Sequence, residues 1–374
     1  MVRKNDKEVL IISKPIVPPW NDSGKNIAKE LVTQGERYTY RILTTQNFSF
    51  ADERRPIRYE RIYPSSGSYQ AGIRQNLKVM FCGLRKKDAR IYHYFFAPNP
   101  TSATAGRLQR ALTRVKTVQT FCSRPADYSI IERLIFTDKV IVLSAHTHRQ
   151  LLDAGVDPKR VVHIPPGIVP PPPLSDSERR QLKQKYALSQ KRVVLFPGDF
   201  EFSTAASQVA AATASILSVH PDVVVVFACR AKTGRSREQQ QRIKMQLAQF
   251  GERVRFPGEI DDMPRLVGCA EVIVLPQDDL YAKMDIPLVL LEGMGHAVPL
   301  IVADAGPLRE LIAGECAIGS KNAASLTDAV THLLTHPNDA ERLGQQGKTL
   351  VHTTYNATQM AKAVENLYDE LLDN

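Results

Sequence analysis

Short runs of β-branched residues alternate with helical patterns along the whole chain, and this alternation limits the fold more than any other feature. The first run, residues 8–13 (EVLIIS), precedes a helical pattern over residues 23–34 that ends before Gly35. Strands that are buried on both faces and separated by helices are typical of parallel sheets. The sequence therefore predicts an α/β protein in which helices cover parallel sheets.

The strand pattern falls into two series with a proline-rich stretch between them. The first comprises residues 8–13, 40–44, 57–63, 91–96, 115–120, 140–144 and 161–164, and the second comprises 192–196, 223–228, 254–256, 272–275 and 300–302. Residues 165–173 (PPGIVPPPP) cannot continue a strand or a helix, because proline has no backbone N–H to donate. Ser175 and Glu178 then have the spacing of a capping box, which predicts a helix to about residue 188.

These boundaries predict two consecutive α/β units. We expect a first domain over residues 1–168, a linker with a helix over 169–190 and a second domain over 191–354. The remaining segment, 355–374, belongs to an amphipathic helix predicted over residues 352–372.

Charge and composition narrow the classes of function. The 374 residues include 49 Lys and Arg against 39 Asp and Glu, a net charge of +10 that favours anionic partners. No basic–aromatic motif or helix-turn-helix pattern predicts specific binding to nucleic acid. The five cysteines are scattered without zinc-like spacing, so we expect buried apolar residues and no metal site.

The sequence predicts neither a membrane-spanning helix nor a signal peptide. No apolar run approaches the roughly 20 residues of a membrane-spanning helix, and the N-terminus lacks the pattern of a signal peptide. The sequence predicts a cytoplasmic protein, with peripheral contact at the inner membrane face as a further candidate.

Two positions in the first domain are candidates for ligand contact, because ligands of open α/β sheets bind at the carboxyl ends of strands. Ser23, or Asp22 before it, is a candidate N-cap, and Gly24 lets another group approach a helix N-terminus that suits an anion. A capped helix after a proline-rich loop is the alternative. His93, in a predicted strand, is a candidate for bonding a sugar hydroxyl or accepting a proton, and a buried core histidine is its alternative.

The second domain carries basic residues directly after its strands. The strand over residues 192–196 leads into Gly198, and the strand over 223–228 leads into Arg230 and Lys232. Cations at the carboxyl end of a strand suit a diphosphate, which arginine can hold through two hydrogen bonds. A solvated basic turn is the alternative.

A single carboxylate interrupts an apolar run further on. Pro287 and Leu288 open a predicted helix in which Glu292 stands among apolar residues. Burying a lone carboxylate is costly unless it has a partner. A ribose diol is one candidate partner, and an internal salt bridge is the alternative.

Together these segments resemble the retaining glycosyltransferases of the GT-B fold, and most closely glycosyltransferase family 4, the group 1 glycosyltransferases. The matching stretches are residues 256–258 (FPG), 270–276 (AEVIVLP) and 288–302 (LVLLEGMGHAVPLIV). The resemblance is strongest over residues 193–304 and extends over nearly the whole chain. It implies two Rossmann-like parallel α/β domains that face each other across a cleft.

The resemblance also implies an activity. A nucleotide sugar would bind mostly to the second domain, and the sugar would pass with retention to a hydroxyl of a glycan or lipid-linked acceptor on the first domain. Neither a metal ion nor a cofactor is implied. By position, Glu292 matches a glutamate that holds the ribose hydroxyls, Ser23 and Gly24 match the loop near the donor diphosphate, and His93 matches a first-domain histidine near the donor sugar. The C-terminal helix is implied to return to the first domain.

Two departures from the family pattern affect the donor site. The first glutamate of the family's pair falls at Met284, where no carboxylate exists. The adjacent Asp285 is the second catalytic candidate beside His93, and the adjacent Lys283 is a candidate for donor binding. The family's phosphate-holding arginine falls at Asp199, and its lysine falls near Thr204.

A departing nucleoside diphosphate needs compensating positive charge. Arg230, Lys232 or Lys283 must supply it if the chain is active. The alternative is a catalytically silent homologue that binds a sugar nucleotide or a partner protein.

One further segment is a candidate surface element. The helical pattern over residues 68–85, followed by Lys86 and Lys87, fits contact with an acceptor or with an anionic membrane. A solvated helix face is the alternative.

Overall fold

The computed structural model describes residues 7–51, 56–64, 72–85, 88–96, 99–125 and 127–373. The chain divides into two compact units. The first consists of Met1–Val169, Ala282–Asp285 and Tyr355–Asn374, and the second consists of Pro170–Tyr281 and Ile286–Thr354. The short segment Ala282–Asp285, which the sequence assigned to the second domain, thus counts with the first unit.

The described residues of the first unit include seven parallel strands. These are β1 (Glu8–Ile12), β2 (Thr39–Thr45), β3 (Arg58–Tyr63), β4 (Ile91–Phe95), β5 (Lys116–Thr120), β6 (Lys139–Val142) and β7 (Val161–His163). Their order across the sheet is β3-β2-β1-β4-β5-β6-β7. The helices between them are α1 (Ser23–Gln34), α2 (Ile73–Arg85), α3 (Pro100–Thr113), α4 (Ile131–Leu134) and α5 (Ala145–Asp153), and a 3₁₀ turn spans Pro158–Arg160.

The second unit repeats this plan with six parallel strands among the described residues. These are β8 (Arg192–Phe196), β9 (Val223–Phe227), β10 (Val254–Arg255), β11 (Val272–Leu275), β12 (Leu300–Ala303) and β13 (Ala317–Ser320). Their order is β10-β9-β8-β11-β12-β13. The helices are α6 (Asp176–Lys185), α7 (Ala205–Val219), α8 (Gly234–Gln246), α9 (Met263–Val267), α10 (Leu288–Gly295), α11 (Arg309–Ala313), α12 (Ala323–Thr335) and α13 (Pro337–Thr353), with 3₁₀ turns at Ala248–Arg253 and Gly306–Leu308.

Helices pack on both faces of the first sheet, which is why its strands are apolar on both sides. On one face, Leu10, Tyr92 and Tyr94 pack with Cys82 of α2 and Phe136 after α4. The capping box that opens α6 is confirmed as well, since Ser175 and Glu178 exchange hydrogen bonds at the helix start.

The last helix, α14 (Ala357–Asp373), lies in the first unit and packs against α1. Glu365 of α14 is 2% exposed and accepts hydrogen bonds from the Arg37 backbone N–H (3.0 Å) and the Tyr40 hydroxyl (2.9 Å). The Arg37 guanidinium also pairs with Asp369 at 2.5 Å. The buried Glu365 contacts and this more exposed pair hold α14 against the first sheet.

The single helix predicted over residues 352–372 is wrong in one respect, because α13 ends at Thr353 and α14 begins at Ala357. The backbone between them pairs with Ile168 instead of continuing the helix. The Ile168 N–H donates to the Tyr355 carbonyl, and the Ala357 N–H donates to the Ile168 carbonyl, both at 2.9 Å.

The predicted α/β class with two Rossmann-like parallel sheets is confirmed. Strand β13 was missed, because its four residues (AIGS) carry a weak apolar pattern. Helix α2 begins at Ile73, and the earlier part of the predicted 68–85 helix, residues 68–71, lies outside the described residues, as do Lys86 and Lys87. All five cysteines are buried and free, as expected for small apolar residues.

Candidate functional site

Strand order locates the expected binding edge of each unit. In the first sheet the order reverses between β1 and β4, and in the second between β8 and β11. Ligands of doubly wound sheets bind outside the carboxyl ends of the strands at such reversal points. The residues that follow β1, β8, β9 and β11 are therefore the first to consider.

The loop after β1 leads to a capped helix. Asp22, rather than Ser23, caps α1, because its carboxylate accepts from the Lys25 backbone N–H at 3.0 Å. Ser23 is the first residue of α1. A Cβ atom at Gly24 would lie 3.0 Å from the Cβ of Cys122, so glycine lets the loop after β5 approach the helix start.

Two lysines secure this loop. The Lys14 ammonium pairs with Asp22 at 2.5 Å, and the buried Lys25 ammonium donates to the carbonyls of Val17 (2.8 Å) and Pro19 (2.5 Å). Burial raises the pKa of Asp22, but the charges and hydrogen bonds of the two lysines outweigh burial and hold the pKa below its ordinary value. The carboxylate is therefore ionised at neutral pH and contributes negative charge beside Ser23 and Gly24.

His93 lies in the core of the first unit. Its ring is 0% exposed, with Nδ1 at 2.5 Å from the Tyr368 hydroxyl and Nε2 at 2.7 Å from the Thr120 hydroxyl. Burial lowers the pKa of His93 to about 3, so the ring is neutral at physiological pH. The sequence left open a histidine that binds a sugar or a proton and a buried core histidine. The burial and the two hydrogen bonds are those of a core histidine.

The segment Ala282–Asp285 is bound to the first unit through its backbone and one side chain. The Arg124 N–H donates to the Lys283 carbonyl (2.9 Å), and the Ala282 N–H donates to the Arg124 carbonyl (3.2 Å). Asp285 is 5% exposed. Its carboxylate accepts from the Ser144 hydroxyl at 2.6 Å and lies 3.6 Å from the Arg124 guanidinium. The Lys283 side chain is half-buried.

An aromatic cluster beyond β1 and β2 was missed by sequence reasoning. The rings of Trp20 and Phe50 stack with centroids 6.2 Å apart and an angle of 8°, and Phe48 meets both edge-on. The ammonium groups of Lys25 and Lys29 lie 5.6 and 5.3 Å from the Trp20 ring. All three aromatic residues are half-buried. The single tryptophan in a strand-end loop was the available signal.

In the second unit, the loop after β8 packs tightly onto its own strand. Gly198 leaves no room for a side chain, because a Cβ there would overlap the Phe196 ring. The next residue, Asp199, accepts hydrogen bonds from the backbone N–H groups of Glu201 (2.8 Å) and Phe202 (2.9 Å). The carboxylate at the position of the family's arginine therefore organises the loop.

Arg230 and Lys232 follow β9 and precede α8, whose N-cap is Thr233. The Arg230 guanidinium lies 3.5 Å from the carboxylate of Glu259, whose side chain is 61% exposed. Lys232 is exposed. Two cations and the N-terminus of a 13-residue helix thus occupy the same strand end.

Helix α10 begins without a side-chain cap after Pro287, and Leu288 is its first residue. Glu292 lies one turn into α10 and is half-buried, whereas Leu290, Leu291 and Met294 of the same helix are each 0% exposed. The carboxylate is thus set in an apolar helix that packs into the unit.

The predicted site residues divide between the two units. Ser23, Gly24, His93, Lys283 and Asp285 lie in the first. Gly198, Arg230, Lys232, Pro287, Leu288 and Glu292 lie in the second. Among the residues that the structure describes, no group of three or more His, Cys, Asp or Glu is placed to hold a metal ion, and no helix in this described part is long and apolar enough to cross a membrane.

The second unit matches a known family. The family model described as "Glycosyl transferases group 1" matches residues 191–336, a stretch that runs from the start of β8 to the end of α12. No curated protein matches the sequence significantly.

Solved structures match over almost the whole chain. A glycosyltransferase from Rickettsia africae ESF-5 has a TM-score of 0.75 at 16% identity and covers 99% of this chain and 100% of its own. Sucrose-phosphate synthase from Thermosynechococcus elongatus has a TM-score of 0.76 at 19% identity, with coverages of 98% and 99%. The Anabaena HepE protein in complex with UDP and glucose has a TM-score of 0.74 at 14% identity, with coverages of 97% and 100%. The chain therefore has the GT-B fold of these structures, and its second unit matches the group 1 glycosyltransferase model.

Proposed function

We propose that this chain is a glycosyltransferase that moves a sugar from a nucleotide-sugar donor to a hydroxyl of a glycan or lipid-linked acceptor, with retention at the anomeric carbon. The observation that carries the proposal is the match of the group 1 model to residues 191–336. That stretch contains Arg230 and Lys232, the two cations between β9 and α8. It also contains Glu292 of α10, a helix that begins without a side-chain cap.

The donor is assigned to the second unit. The structure of HepE with UDP and glucose has the same fold, which supports a nucleotide sugar as the ligand. We assign Glu292 to the ribose, because a carboxylate can accept hydrogen bonds from both hydroxyls of a diol. Pro287 and Leu288 form the start of α10, which has no side-chain cap, and we assign this helix N-terminus to the diphosphate because helix N-termini favour anions.

The charge of the diphosphate is assigned to Arg230 and Lys232, assisted by the N-terminus of α8. The pair between Arg230 and Glu259 is exposed and 3.5 Å long, and such pairs are weak. A phosphate can therefore replace the carboxylate of Glu259 without a large cost. Lys283, the remaining candidate cation, lies in the first unit.

The first unit is assigned to the acceptor. The Trp20–Phe50 stack offers an aromatic surface beyond β1 and β2, and sugar rings pack on aromatic faces through their apolar C–H groups. Ser23 and Gly24 lie at the α1 start beside this surface. The proposal assigns neither a metal ion nor a cofactor to the transfer.

We assign positioning roles to the two catalytic candidates, His93 and Asp285. His93 joins β4 to Thr120 of β5 and to Tyr368 of α14, so a proton transfer by its ring would break a buried contact. Asp285 holds the segment Ala282–Asp285 against Ser144 and Arg124.

Thermal unfolding with a panel of UDP-, ADP- and GDP-sugars tests the donor site. A donor at 100 times its Kd stabilises the protein by about 2.7 kcal/mol, which raises Tm by a few degrees. We expect at least one donor to raise Tm, and we expect Glu292→Ala to abolish that rise. The matched control Glu341→Ala, an exposed residue of α13, should retain it.

Retention is tested on the product of an active donor and acceptor pair. Proton NMR of the new glycosidic bond should show the same anomeric configuration as the donor, and an inverted product would refute retention. A donor that binds without any release of nucleoside diphosphate would favour the catalytically silent homologue.

A further inference from the structure

The positive charge of the chain is concentrated in one stretch. Residues 61–126 contain one acidic residue, Asp88, and twelve basic ones, a net charge of +11 against +10 for the whole chain. The remaining residues together carry −1. The basic residues are Arg61, Arg74, Lys78, Arg85, Lys86, Lys87, Arg90, Arg107, Arg110, Arg114, Lys116 and Arg124.

Helices α2 and α3 form the outer layer of this stretch and pack against each other. The Gln109 side chain of α3 donates to the Met80 carbonyl of α2 at 3.4 Å. A Cβ atom at Gly83 would overlap the same glutamine side chain, so glycine permits the close approach. Both helices cover the core formed by Tyr92 and Tyr94 of β4.

Large apolar side chains stand exposed on both helices. Phe81 of α2 is 55% exposed, and Leu108 and Leu112 of α3 are 52% and 56% exposed. Leu108 and Leu112 are four residues apart and share one face of α3. Lys78 precedes Phe81 by three residues and Arg85 follows it by four, and both cations are exposed. They therefore lie on the same face of α2 as the phenylalanine.

Lys78 and Arg85 have no acidic partner among the residues that the structure describes. Neither α2 nor α3 contains an acidic residue. Within the described part of the chain, Lys78, Arg85, Arg90 and Arg114 form no ion pair, whereas Arg110 of the same region pairs with Asp138. A surface that joins uncompensated cations to exposed Phe and Leu side chains is complementary to the interface of an anionic bilayer, where cations meet headgroups and apolar side chains enter the acyl boundary.

We propose that the outer face of α2 and α3, defined by Lys78, Phe81, Arg85, Leu108 and Leu112, docks the protein on a membrane rich in anionic lipid. The apolar residues favour a lipid surface over nucleic acid, because a phosphate backbone gains little from exposed leucines. This face lies toward the ends of α2 and α3, which precede the first residues of β4 and β5. It is therefore at the amino edge of the first sheet, and docking leaves the carboxyl edge open. The proposal does not depend on the glycosyltransferase assignment.

Co-sedimentation of the full-length protein with vesicles tests the face. We use vesicles of equal parts phosphatidylglycerol and phosphatidylcholine, and vesicles of phosphatidylcholine alone, at about 0.1 M salt. We expect binding to the anionic vesicles only. Each lost cation should weaken binding about fivefold, the equivalent of about 1 kcal/mol, so Lys78→Glu with Arg85→Glu should weaken it by at least about 25-fold.

Matched variants in the second unit separate the face from net charge. The control variant, Arg180→Glu with Arg242→Glu, replaces two exposed arginines and has the same net charge as the variant Lys78→Glu with Arg85→Glu. It should change vesicle binding less than about threefold. Phe81→Ser with Leu108→Ser should lose most binding and leave the remainder more sensitive to salt. Val219→Ser with Met245→Ser, which replaces residues that are 61% and 63% exposed, should bind as the unaltered protein does.

Three results would overturn the proposal: no binding to anionic vesicles, equal losses in the two charge variants, or no loss from the apolar variant of the face. Retention on heparin that falls only in the face variants, without vesicle binding, would assign the face to another polyanion and also overturn it. Nucleotide-sugar thermal shifts of the same variants should be unchanged, so this test and that of the donor site fail independently.

Discussion

Replacing His93 by glutamine tests whether the ring is a buried neutral part of the core. Burial lowers the pKa of His93 to about 3, against 6.5 for an unperturbed histidine. His93 therefore binds a proton near pH 6.5 in the unfolded chain, but only near pH 3 in the folded chain. Stability from this group is complete above pH 6.5 and is lost progressively as the pH falls from 6.5 to about 3.

The magnitude follows from the two pKa values. Between pH 7 and pH 5 the unfolded histidine becomes protonated while His93 in the fold stays neutral. At about 1.36 kcal/mol per unit below 6.5, the loss is about 2 kcal/mol. His93→Gln removes this loss, because glutamine does not titrate. At pH 7 the variant should be less stable by about 1–3 kcal/mol, since the amide replaces the contacts to Tyr368 and Thr120 imperfectly.

Urea unfolding followed by tryptophan fluorescence is the assay. The chain has one tryptophan, Trp20, and it lies in the same unit as His93, so the signal reports the relevant unit. The free energy of unfolding at pH 7 minus that at pH 5 should be larger in the unaltered protein by about 2 kcal/mol. The pKa values of His163 and His296 are also lowered by burial, but both residues are present in both proteins and cancel in the comparison. Equal pH losses in the two proteins would refute a buried neutral His93.

Two further substitutions test the packing. Gly344→Ala places a Cβ atom against the backbone carbonyl of Ala297, so we expect the free energy of unfolding in urea to fall by about 1–3 kcal/mol. The control Gly234→Ala, where a Cβ would have no atom within 4 Å, should be neutral or stabilising. Equal effects of the two substitutions would contradict this packing. Glu365→Ala leaves the Tyr40 hydroxyl without its buried acceptor and should cost about 2 kcal/mol, and a change below about 0.5 kcal/mol would show that α14 does not depend on this contact.

The fold could be predicted from the sequence because its signal is local and repeated. Each buried strand is a run of β-branched residues, such as VVVVF in β9, and each helix between strands has its own period or cap. The long C-terminal helix was the exception. Its apolar period continues through residues 354–356, but the backbone pairing with Ile168 is a contact between distant parts of the chain that periodicity does not encode.

The site could be predicted only in part, for a physical reason. Candidates such as Arg230, which follows a strand, and Glu292, which lies in the next apolar helix, can be chosen from their order along the chain alone. The environment of a side chain depends on what packs beside it, and this is set by distant segments. His93 is covered by Tyr368, which is 275 residues away, and Asp285 is covered by Ser144, which is 141 residues away. The Trp20 cluster was missed for the same reason, because Phe48 and Phe50 come from the loop after another strand.

Release of nucleoside diphosphate from a panel of sugar nucleotides tests the central claim most directly. The purified protein is incubated with each donor and a set of hydroxyl acceptors, alongside Glu292→Ala and the control Glu341→Ala. We predict that at least one donor is turned over, that Glu292→Ala lowers its turnover by at least tenfold, about 1.4 kcal/mol, and that the control is unaffected. Turnover that persists unchanged in Glu292→Ala would contradict the donor site, and a donor that binds but is never turned over with any acceptor would contradict the transferase itself.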